Sequence, residues 1–219
     1  MVPIYRHHKL SACLVGDRFV FLDRKADRYF CLPPALNAEF RARLARFGTG
    51  TTGHAPDKPF DRSLHPGLAG PFEQVPVPPV IAALDRHDLP APRFGAIVMA
   101  LSCRLAAAIE RRLRPLDRIL ARLEAARRVA RPPAARNDAD VRAMITAFHA
   151  CAYFVFAQER WLIQSVALLD QLRRRGQSAD LVFGVMMSPF AAHCWVQQGG
   201  TVLNDTLDHA GLFSPILII

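Results

Sequence analysis

Five cysteines give the chain its most reactive side chains, because a thiol can act as a nucleophile, a metal ligand or half of a disulfide. They occur singly at Cys13, Cys31, Cys103, Cys151 and Cys194, without a Cys-x-x-Cys pair. Their odd number and wide spacing argue against both a disulfide framework and a zinc site. On this basis alone, each cysteine is predicted to be a small buried apolar side chain.

Positive charge is concentrated in one stretch of the sequence. The net charge is +9, and residues 104–136 contain ten arginines against three acidic residues. An arginine-rich helix face can meet nucleic acid, anionic lipid or an acidic protein, but it is also the ordinary composition of a solvated surface. The sequence has no uninterrupted apolar run of about 18 residues, and no apolar segment follows its basic N-terminus. We therefore expect a cytoplasmic protein without a membrane span or a secretory signal.

The first half of the chain predicts a β-meander followed by a helix. Three short strand segments, Leu10–Val15, Arg18–Asp23 and Arg28–Leu32, are separated by polar turns. Pro33-Pro34 ends the third strand, and Pro34 suits the first turn of a helix because its missing N–H is not needed there. Apolar residues four positions apart then give that helix its buried stripe: Leu36, Phe40 and Leu44.

The second half predicts helices followed by an antiparallel sheet. The proline-rich segment 75–79 is an extended linker, and residues 94–129 form one long helix or a pair bent near Pro115. A helix over 140–160 follows, and the next apolar stripe ends at Arg173-Arg-Arg-Gly176, where basic residues before a glycine favour a helix stop. Three strand segments complete the α+β pattern: 181–185, 191–198 and 201–205.

Five short motifs follow one another near the C-terminus: Leu172-Arg-Arg-Arg-Gly176, Phe183-Gly-Val185, Pro189-Phe190, Ala192-His-Cys-Trp-Val196 and Leu203-Asn-Asp205. Together with the tail Phe213-Ser-Pro-Ile216, they make this part of the chain resemble the C-terminal domain of lasso-peptide biosynthesis B proteins. These proteins are similar to transglutaminase-like cysteine peptidases, and they remove the leader from a ribosomally made precursor.

The resemblance implies a Cys-His-Asp peptidase site. Such a site needs a thiolate, an imidazole to hold its proton and a group that orients the imidazole. By the family pattern, His193 is the base and Asp205 the orienting carboxylate. The pattern places the nucleophile in Cys-Leu-x-x-Ser at the start of a helix, but this chain reads Trp161-Leu-Ile-Gln-Ser165. An indole neither ionises near neutral pH nor forms a thioester.

The remaining nucleophiles are poor substitutes. Cys151 precedes Trp161 by ten residues, or about 15 Å along a continuous helix. Cys194 points to the opposite strand face from its neighbour His193, and Ser165 lacks the acidity of a thiol. His193 and Asp205 also have simpler interpretations. His193 could be a strand histidine that hydrogen-bonds to a backbone partner, and Asp205 could be a surface residue near a turn.

The spacing of His193 and Asp205 predicts the geometry of the hairpin between them. If Gly199-Gly200 is a simple two-residue turn, His193 pairs with Thr206, and Asp205 lies on the opposite face of the sheet. A three-residue loop over 198–200 pairs His193 with Asp205 directly. We therefore expect an odd-numbered loop or a bulge.

The N-terminal meander carries a resemblance of its own. Gly16-Asp17 through Phe21-Leu-Asp23 and Asp27-Arg-Tyr-Phe-Cys-Leu32 are similar to the winged-helix module with which peptide-modifying enzymes recognise leaders. Such modules bind the leader as an added strand against the third strand, with a helix as the other wall; alternate side-chain pockets then select the sequence. The implied leader-binding residues are Arg28, Tyr29, Phe30, Cys31 and Leu32. Without the resemblance, they are an ordinary hydrophobic strand.

These patterns predict two domains in an α+β chain. A small winged-helix-like β-meander and helix occupy residues 1–75, a linker 76–92, and a transglutaminase-like (papain-like) helix-plus-antiparallel-sheet domain 93–219. The implied partners are the precursor's leader peptide and an asparagine-synthetase-like lasso cyclase. The expectation is no metal, no cofactor and no nucleic acid on this chain, with any ATP requirement coming through the cyclase.

Three functions remain compatible with the sequence. An active leader peptidase needs a thiol near His193. A leader-binding scaffold, impaired at Trp161, would hold the precursor for the cyclase without cutting it. A basic nucleic-acid-binding winged helix would show salt-dependent binding, but the arginines of 104–136 lie outside the winged-helix segment. We favour lasso-peptide maturation, with the cleavage step depending on Trp161.

Overall fold

The computed structural model describes residues 3–47, 66–85, 89–128, 138–151 and 160–219. The chain divides into two compact units, Met1–Val77 with Ser214–Leu217 and Pro78–Phe213 with Ile218–Ile219. Helices and two β-sheets together make the chain α+β, as predicted. No described helix is both long enough and apolar enough to cross a membrane.

The first sheet has five antiparallel strands in the order β4-β3-β2-β1-β5. They are β1 (Ile4–His7), β2 (Leu10–Val15), β3 (Arg18–Asp23), β4 (Arg28–Cys31) and β5 (Glu73–Val75). Strands β2 to β4 match the predicted meander, the last ending one residue early, whereas β1 and β5 lie outside it. Gly16-Asp17 forms a two-residue turn, since Val15 pairs with Arg18, and Gly16 adopts the positive φ (62°) that glycine tolerates.

Helix α1 (Pro34–Phe47) packs against this sheet along its predicted stripe. Fully buried Phe40 is surrounded by apolar residues of the sheet and of the helix itself: Phe19, Phe21, Leu32, Leu36 and Leu44. Asn37 ties the helix to the β2–β3 turn, because its side chain accepts a hydrogen bond from the Phe19 amide and donates one to the Asp17 carbonyl, both at 2.8 Å. A 3₁₀ helix (Pro66–Ala69) precedes β5. Membership of the winged-helix class stays a prediction.

The second unit contains, among its described residues, α2 (Phe94–Leu113), α3 (Leu116–Arg128), α4 (Asp138–Ala150), α5 (Arg160–Arg174) and α6 (Leu207–Gly211). The break between α2 and α3 confirms the predicted bend near Pro115, where proline lacks the N–H that a continuous helix needs. Helix α4 ends at Ala150, and residues 152–159 of the helix predicted over 140–160 lie outside the described residues.

Helix α5 ends as its sequence predicts. The Gln177 amide donates to the Leu172 carbonyl and the Gly176 amide to the Arg173 carbonyl, both at 3.0 Å, and Gly176 has a φ of 71°. This is a Schellman arrangement, in which a left-handed glycine ends the helix. All residues of α5 from Ile163 to Leu169 are buried, so the middle of the helix is enclosed on every side. It packs against both α2 and β8, which fixes the helix relative to the second sheet.

The second sheet has the order β10-β7-β8-β9-β6. Its strands are β6 (Ala82–Ala83), β7 (Asp180–Met187), β8 (Phe190–Gln198), β9 (Thr201–Val202) and β10 (Ser214–Ile218). The strand predicted over 201–205 is wrong after Val202, where the chain bends away. Strand β6 pairs in parallel with β9 and brings part of the predicted linker into the sheet. Helix α6 and strand β10 lie outside the predicted elements.

Candidate active site

His193 and Asp205 form a short, buried hydrogen bond. His193 lies in β8 and Asp205 follows β9, and His193 Nε2 is 2.6 Å from Asp205 Oδ2. The two residues are 6% and 8% exposed. An ionised carboxylate can only accept hydrogen bonds, so Nε2 carries the proton and Nδ1 is left as the basic nitrogen. In this tautomer an imidazole can take a proton from a nucleophile.

The environment of Asp205 favours its charged form. Burial raises the pKa of this carboxyl, but hydrogen bonds from His193, His209 and the Thr206 amide outweigh burial and lower the pKa below its ordinary value. Oδ2 accepts from both imidazoles, and Oδ1 accepts from the Thr206 amide at 2.8 Å. Asp205 is therefore ionised at neutral pH and holds both imidazoles in place.

The β8–β9 hairpin corrects one expectation. Gln198 pairs with Thr201 and Gln197 with Val202, so Gly199-Gly200 is a two-residue turn without a bulge. The φ of 60° at Gly199 suits the first central position of a type II′ turn. The predicted odd-numbered loop is wrong, yet His193 and Asp205 still meet.

Asn204 explains how they meet. The Leu203 amide donates to the Val196 carbonyl at 2.8 Å, but the Val196 amide donates to Asn204 Oδ1 at 2.7 Å, which replaces the reciprocal bond of the ladder. The strand therefore ends after Val202. Side-chain alternation along β9 no longer sets the direction of Asp205, and its carboxylate reaches His193.

The indole of Trp161 lies against the imidazole of His193. The ring centroids are 5.1 Å apart, with the planes at 79°, an edge-to-face contact. Trp161 lies at the start of the described part of α5. The Arg160 guanidinium lies 4.9 Å from the indole centroid. The structure thus brings Trp161, His193 and Asp205 together, with an indole where a thiol is expected.

His209 joins this cluster without having been predicted. Its Nδ1 lies 2.8 Å from Asp205 Oδ2, and its ring centroid is 4.7 Å from that of His193. It belongs to α6, whose N-cap Thr206 accepts a hydrogen bond from the His209 amide. Two features of the sequence could have predicted His209. Thr206, a capping residue, directly follows Asp205, and His209 lies four residues after Asp205, the spacing of one helical turn.

Gly184 leaves space for the aromatic wall of the site. It pairs with His193 across β7 and β8, and a Cβ at this position would lie 2.7 Å from Phe213 Cβ and 2.8 Å from the Trp195 ring. The Phe213 and Trp195 rings are 5.1 Å and 6.1 Å from the His193 ring. The Phe183-Gly-Val185 motif therefore has a steric reason, because a side chain at Gly184 would displace two rings that contact the base.

The cysteines of the second unit contact other groups. Cys194 is buried, and burial raises the pKa of its thiol to about 12. The sulfur of Cys151 lies 3.8 Å from the Ile97 carbonyl oxygen, and that of Cys103 lies 3.8 Å from the sulfur of Met99. Burial raises the pKa of both thiols. None of the three has the acidity of a catalytic thiol.

Ser165 is also unsuited to the role of nucleophile. It is fully buried, and its hydroxyl donates to the Cys194 carbonyl at 3.3 Å while accepting from Asn204 Nδ2 at 2.8 Å. These bonds connect α5 to β8 and to the bend after β9. Ser165 therefore holds the site together rather than facing a substrate.

Three side chains of the site have the chemistry of metal ligands. His193, Asp205 and His209 each offer one ligand atom, and these atoms lie within 4.8 Å of one another. Two imidazoles and a carboxylate can bind zinc or ferrous iron. However, Asp205 Oδ2 is only 2.6 and 2.8 Å from the two nitrogens, whereas ligand atoms around a tetrahedral zinc ion are roughly 3.3 Å apart. The cluster has the spacing of a hydrogen-bonded triad.

The predicted leader-binding residues form the end of the first sheet. Among the described strands, β4 pairs only with β3, so its outer edge has no strand partner there. Phe30 stacks on Phe21 at 5.1 Å, and Leu32 is buried in the core. Arg28 is exposed, and Tyr29 and Cys31 are partly buried. The five residues therefore lie in and directly after the terminal strand of the sheet and have anchors in the core.

A groove of about 590 Å³ lies beside α1. Small and polar side chains line it: Asp17, Arg18, Pro34, Asn37, Ala38, Arg41, Ala42 and Ala45. Burial raises the pKa of the Cys31 thiol, and the charge of Arg18 partly offsets this effect. The groove is formed by one face of α1 together with Asp17 and Arg18.

Changing Asp205 to asparagine is expected to lower the free energy of unfolding by about 1–3 kcal/mol at pH 7, because a charged acceptor of buried hydrogen bonds is lost. The folded-state pKa of Asp205 lies below its ordinary value of 3.8. Its stabilisation is therefore complete above that value and is lost as the pH falls through the folded-state pKa. Urea unfolding of the unmodified chain and of Asp205→Asn, from pH 7 to pH 3, measures the difference between their free energies of unfolding. A difference that does not become smaller below about pH 4 would contradict the proposed role of Asp205.

Comparison with protein families gives one match. Residues 103–217 match the transglutaminase-like superfamily, a segment of more than half the chain that includes Trp161, His193 and Asp205. Searches of the curated proteins and of the solved structures gave no match. The matched segment is consistent with a papain-like fold of the cysteine-protease type. The chain belongs to the transglutaminase-like superfamily.

Proposed function

We propose that this protein serves lasso-peptide maturation by binding the leader of the precursor without cutting it. One observation carries the proposal: the Trp161 indole packs against the His193 imidazole at the position where the nucleophile is expected. The base and its orienting carboxylate are retained, but the position beside the imidazole holds an indole instead of a thiol that could attack a peptide carbonyl. A covalent acyl-enzyme cannot form on an indole.

The chemistry of the retained pair agrees with a site that evolved for proton transfer. Asp205 fixes the His193 tautomer and leaves Nδ1 basic, as a thiol-activating imidazole requires. The aromatic side chains around His193, including Trp161, Phe213 and Trp195, exclude water from the imidazole. We therefore expect the peptide bond at the leader–core junction to stay intact.

Leader capture is assigned to β4 and the groove beside α1. An added peptide strand would pair its backbone with the outer edge of β4 (Arg28–Cys31), and its side chains would enter the groove. The exposed alanines of α1 have small side chains that leave room for a peptide in the groove, and Arg18 and Arg41 give it positive charge. The captured precursor would then be available to an asparagine-synthetase-like cyclase.

Binding of a labelled leader peptide tests the proposal. The probes are labelled leader peptides of lasso-peptide precursors, and the fluorescence anisotropy of a recognised leader should rise on titration with the protein. Hydrogen exchange at amides 28–32 should slow in the complex, because their outer edge becomes hydrogen-bonded. A scrambled leader of the same composition is the control. Equal binding of the scrambled peptide, or protection confined to other strands, would contradict leader capture at β4.

A further inference from the structure

The outward face of helix α2 is apolar along its whole length. Six of its large apolar side chains are between 38% and 81% exposed: Phe94, Val98, Leu101, Leu105, Ile109 and Leu113. They are three or four residues apart and therefore share one side of the helix. The opposite side, with Ala100, Arg104 and Ala107, is buried, and α2 packs against α4 and α5. An exposed apolar strip of this length indicates a binding surface.

Polar groups on this face are few, and the charged one is basic. Within this fully described helix, the exposed polar side chains are Ser102 and Arg112. Exposed arginines also lie at both ends of the strip, Arg93 immediately before α2 and Arg114 and Arg118 after it. The nearby acidic groups include Glu110, which is paired with Arg122 at 2.9 Å and with Arg114 at 3.4 Å, and the partly buried Asp117.

The arrangement of charge selects the occupant of this surface. In an antiparallel pair of α2 helices, Arg112 and Arg114 of one copy would approach Arg93 of the other, and in a parallel pair Arg112 would approach Arg112. Both pairings bring like charges together, which disfavours a second copy of the chain. An anionic lipid surface offers negative charge at both ends of the strip in any orientation, and its acyl region accepts a convex apolar ridge.

We propose that α2 is an interfacial helix with which this protein binds the surface of an anionic membrane. The six apolar side chains enter the boundary between headgroups and acyl chains, while Arg93, Arg112, Arg114 and Arg118 contact lipid phosphates. The helix lies in the membrane plane with its other face on the protein. This property is independent of the proposed leader capture.

Vesicle sedimentation tests the membrane proposal. The full chain should sediment with vesicles of phosphatidylcholine and phosphatidylglycerol, remain mostly in the supernatant with phosphatidylcholine alone, and be released by high salt. Leu105→Glu should weaken sedimentation by at least about tenfold, because a carboxylate then enters the apolar strip and repels the lipid phosphates. Leu212→Glu is a matched control, since Leu105 and Leu212 are both 63% exposed, and it should bind as well as the unmodified chain.

Three results would overturn the proposal. The first is no sedimentation with anionic vesicles, and the second is an equal loss of sedimentation in both variants. The third is a dimer in light scattering that Leu105→Glu converts to a monomer without lipid, which would assign the surface to a second copy. Leader binding, measured in the same preparations, should be unchanged in both variants.

Discussion

Replacing Trp161 with cysteine is expected to produce a thiol-dependent leader peptidase. The new thiol would lie on the side of α5 that faces His193, whose imidazole can take its proton. Removing the indole also opens space for the peptide carbonyl. Leader release, measured by mass spectrometry, should exceed that of the unmodified chain by at least about 100-fold, a modest part of what an activated nucleophile with a positioned base supplies.

Three variants separate this mechanism from simple opening of the site. Trp161→Ala makes the same space without a nucleophile and should not cleave. Trp161→Ser supplies a hydroxyl, which is a far weaker acid than a thiol, so its leader release should stay well below that of Trp161→Cys. Adding His193→Ala to Trp161→Cys should remove the gained activity and slow alkylation of the new thiol near neutral pH. Cleavage by Trp161→Ala would assign the chemistry to another group. No gain in the folded, leader-binding Trp161→Cys variant would show that this position is not the nucleophile's.

Replacing Ala42 with tryptophan is expected to abolish most leader binding. Ala42 is exposed on α1 and lines the groove along that helix, so a large indole would occupy the volume that leader side chains need under the proposed function. Affinity should fall by at least about tenfold, or roughly 1.4 kcal/mol. The folded state should tolerate the change, because Ala42 lies on the solvent side of the helix. Anisotropy titration with the labelled leader measures the effect.

The matched control for the groove is Ala35→Trp. Ala35 is exposed on the same helix but does not line the groove, so the same indole there should leave leader affinity unchanged. Thermal unfolding of both variants shows whether either has lost its fold. Equal affinities of the Ala42→Trp and unmodified chains would place the leader elsewhere, and equal losses in the two variants would indicate a general effect of α1.

Local sequence patterns predicted those elements that local physics determines. The meander β2–β4 follows from apolar segments between tight polar turns, and Gly16 adopts the positive φ that its turn requires. The end of α5 follows from Gly176, whose left-handed conformation completes a Schellman motif. The break near Pro115 follows from proline chemistry. In each case, residues within one or two turns of each other supply the stabilising contact.

Elements fixed by distant partners were not predictable in the same way. Strand β5 forms by pairing with β1, whose residues lie more than sixty positions earlier in the chain. The odd-numbered hairpin loop was a wrong prediction because strand alternation was extended to Asp205. The Asn204 side chain accepts the hydrogen bond of the Val196 amide and so ends the backbone ladder there. A pairing rule based on side-chain alternation does not take such a side-chain bond into account. His209 was missed because α6 is a short helix without an apolar stripe.

The candidate site depends both on residue types that the sequence reveals and on contacts between residues far apart in the chain. The positions of His193, Asp205 and Trp161 came from a motif resemblance, which indicated residue types but could not show contact. The structure adds the 2.6 Å hydrogen bond between base and carboxylate and the edge-to-face packing of the indole on the imidazole. Tertiary packing of α5 against β8 brings Trp161 and His193 together, and that packing depends on residues spread over both elements.

The intact mass of a leader–core peptide, after incubation with the unmodified protein, tests the central claim most directly. The incubation should use enough protein to bind all of the peptide, with anisotropy confirming saturation. The full-length peptide should be recovered unchanged, while Trp161→Cys should cut the same peptide at the leader–core junction. Recovery of separate leader and core fragments from the unmodified chain, with His193→Ala abolishing them, would contradict the central claim.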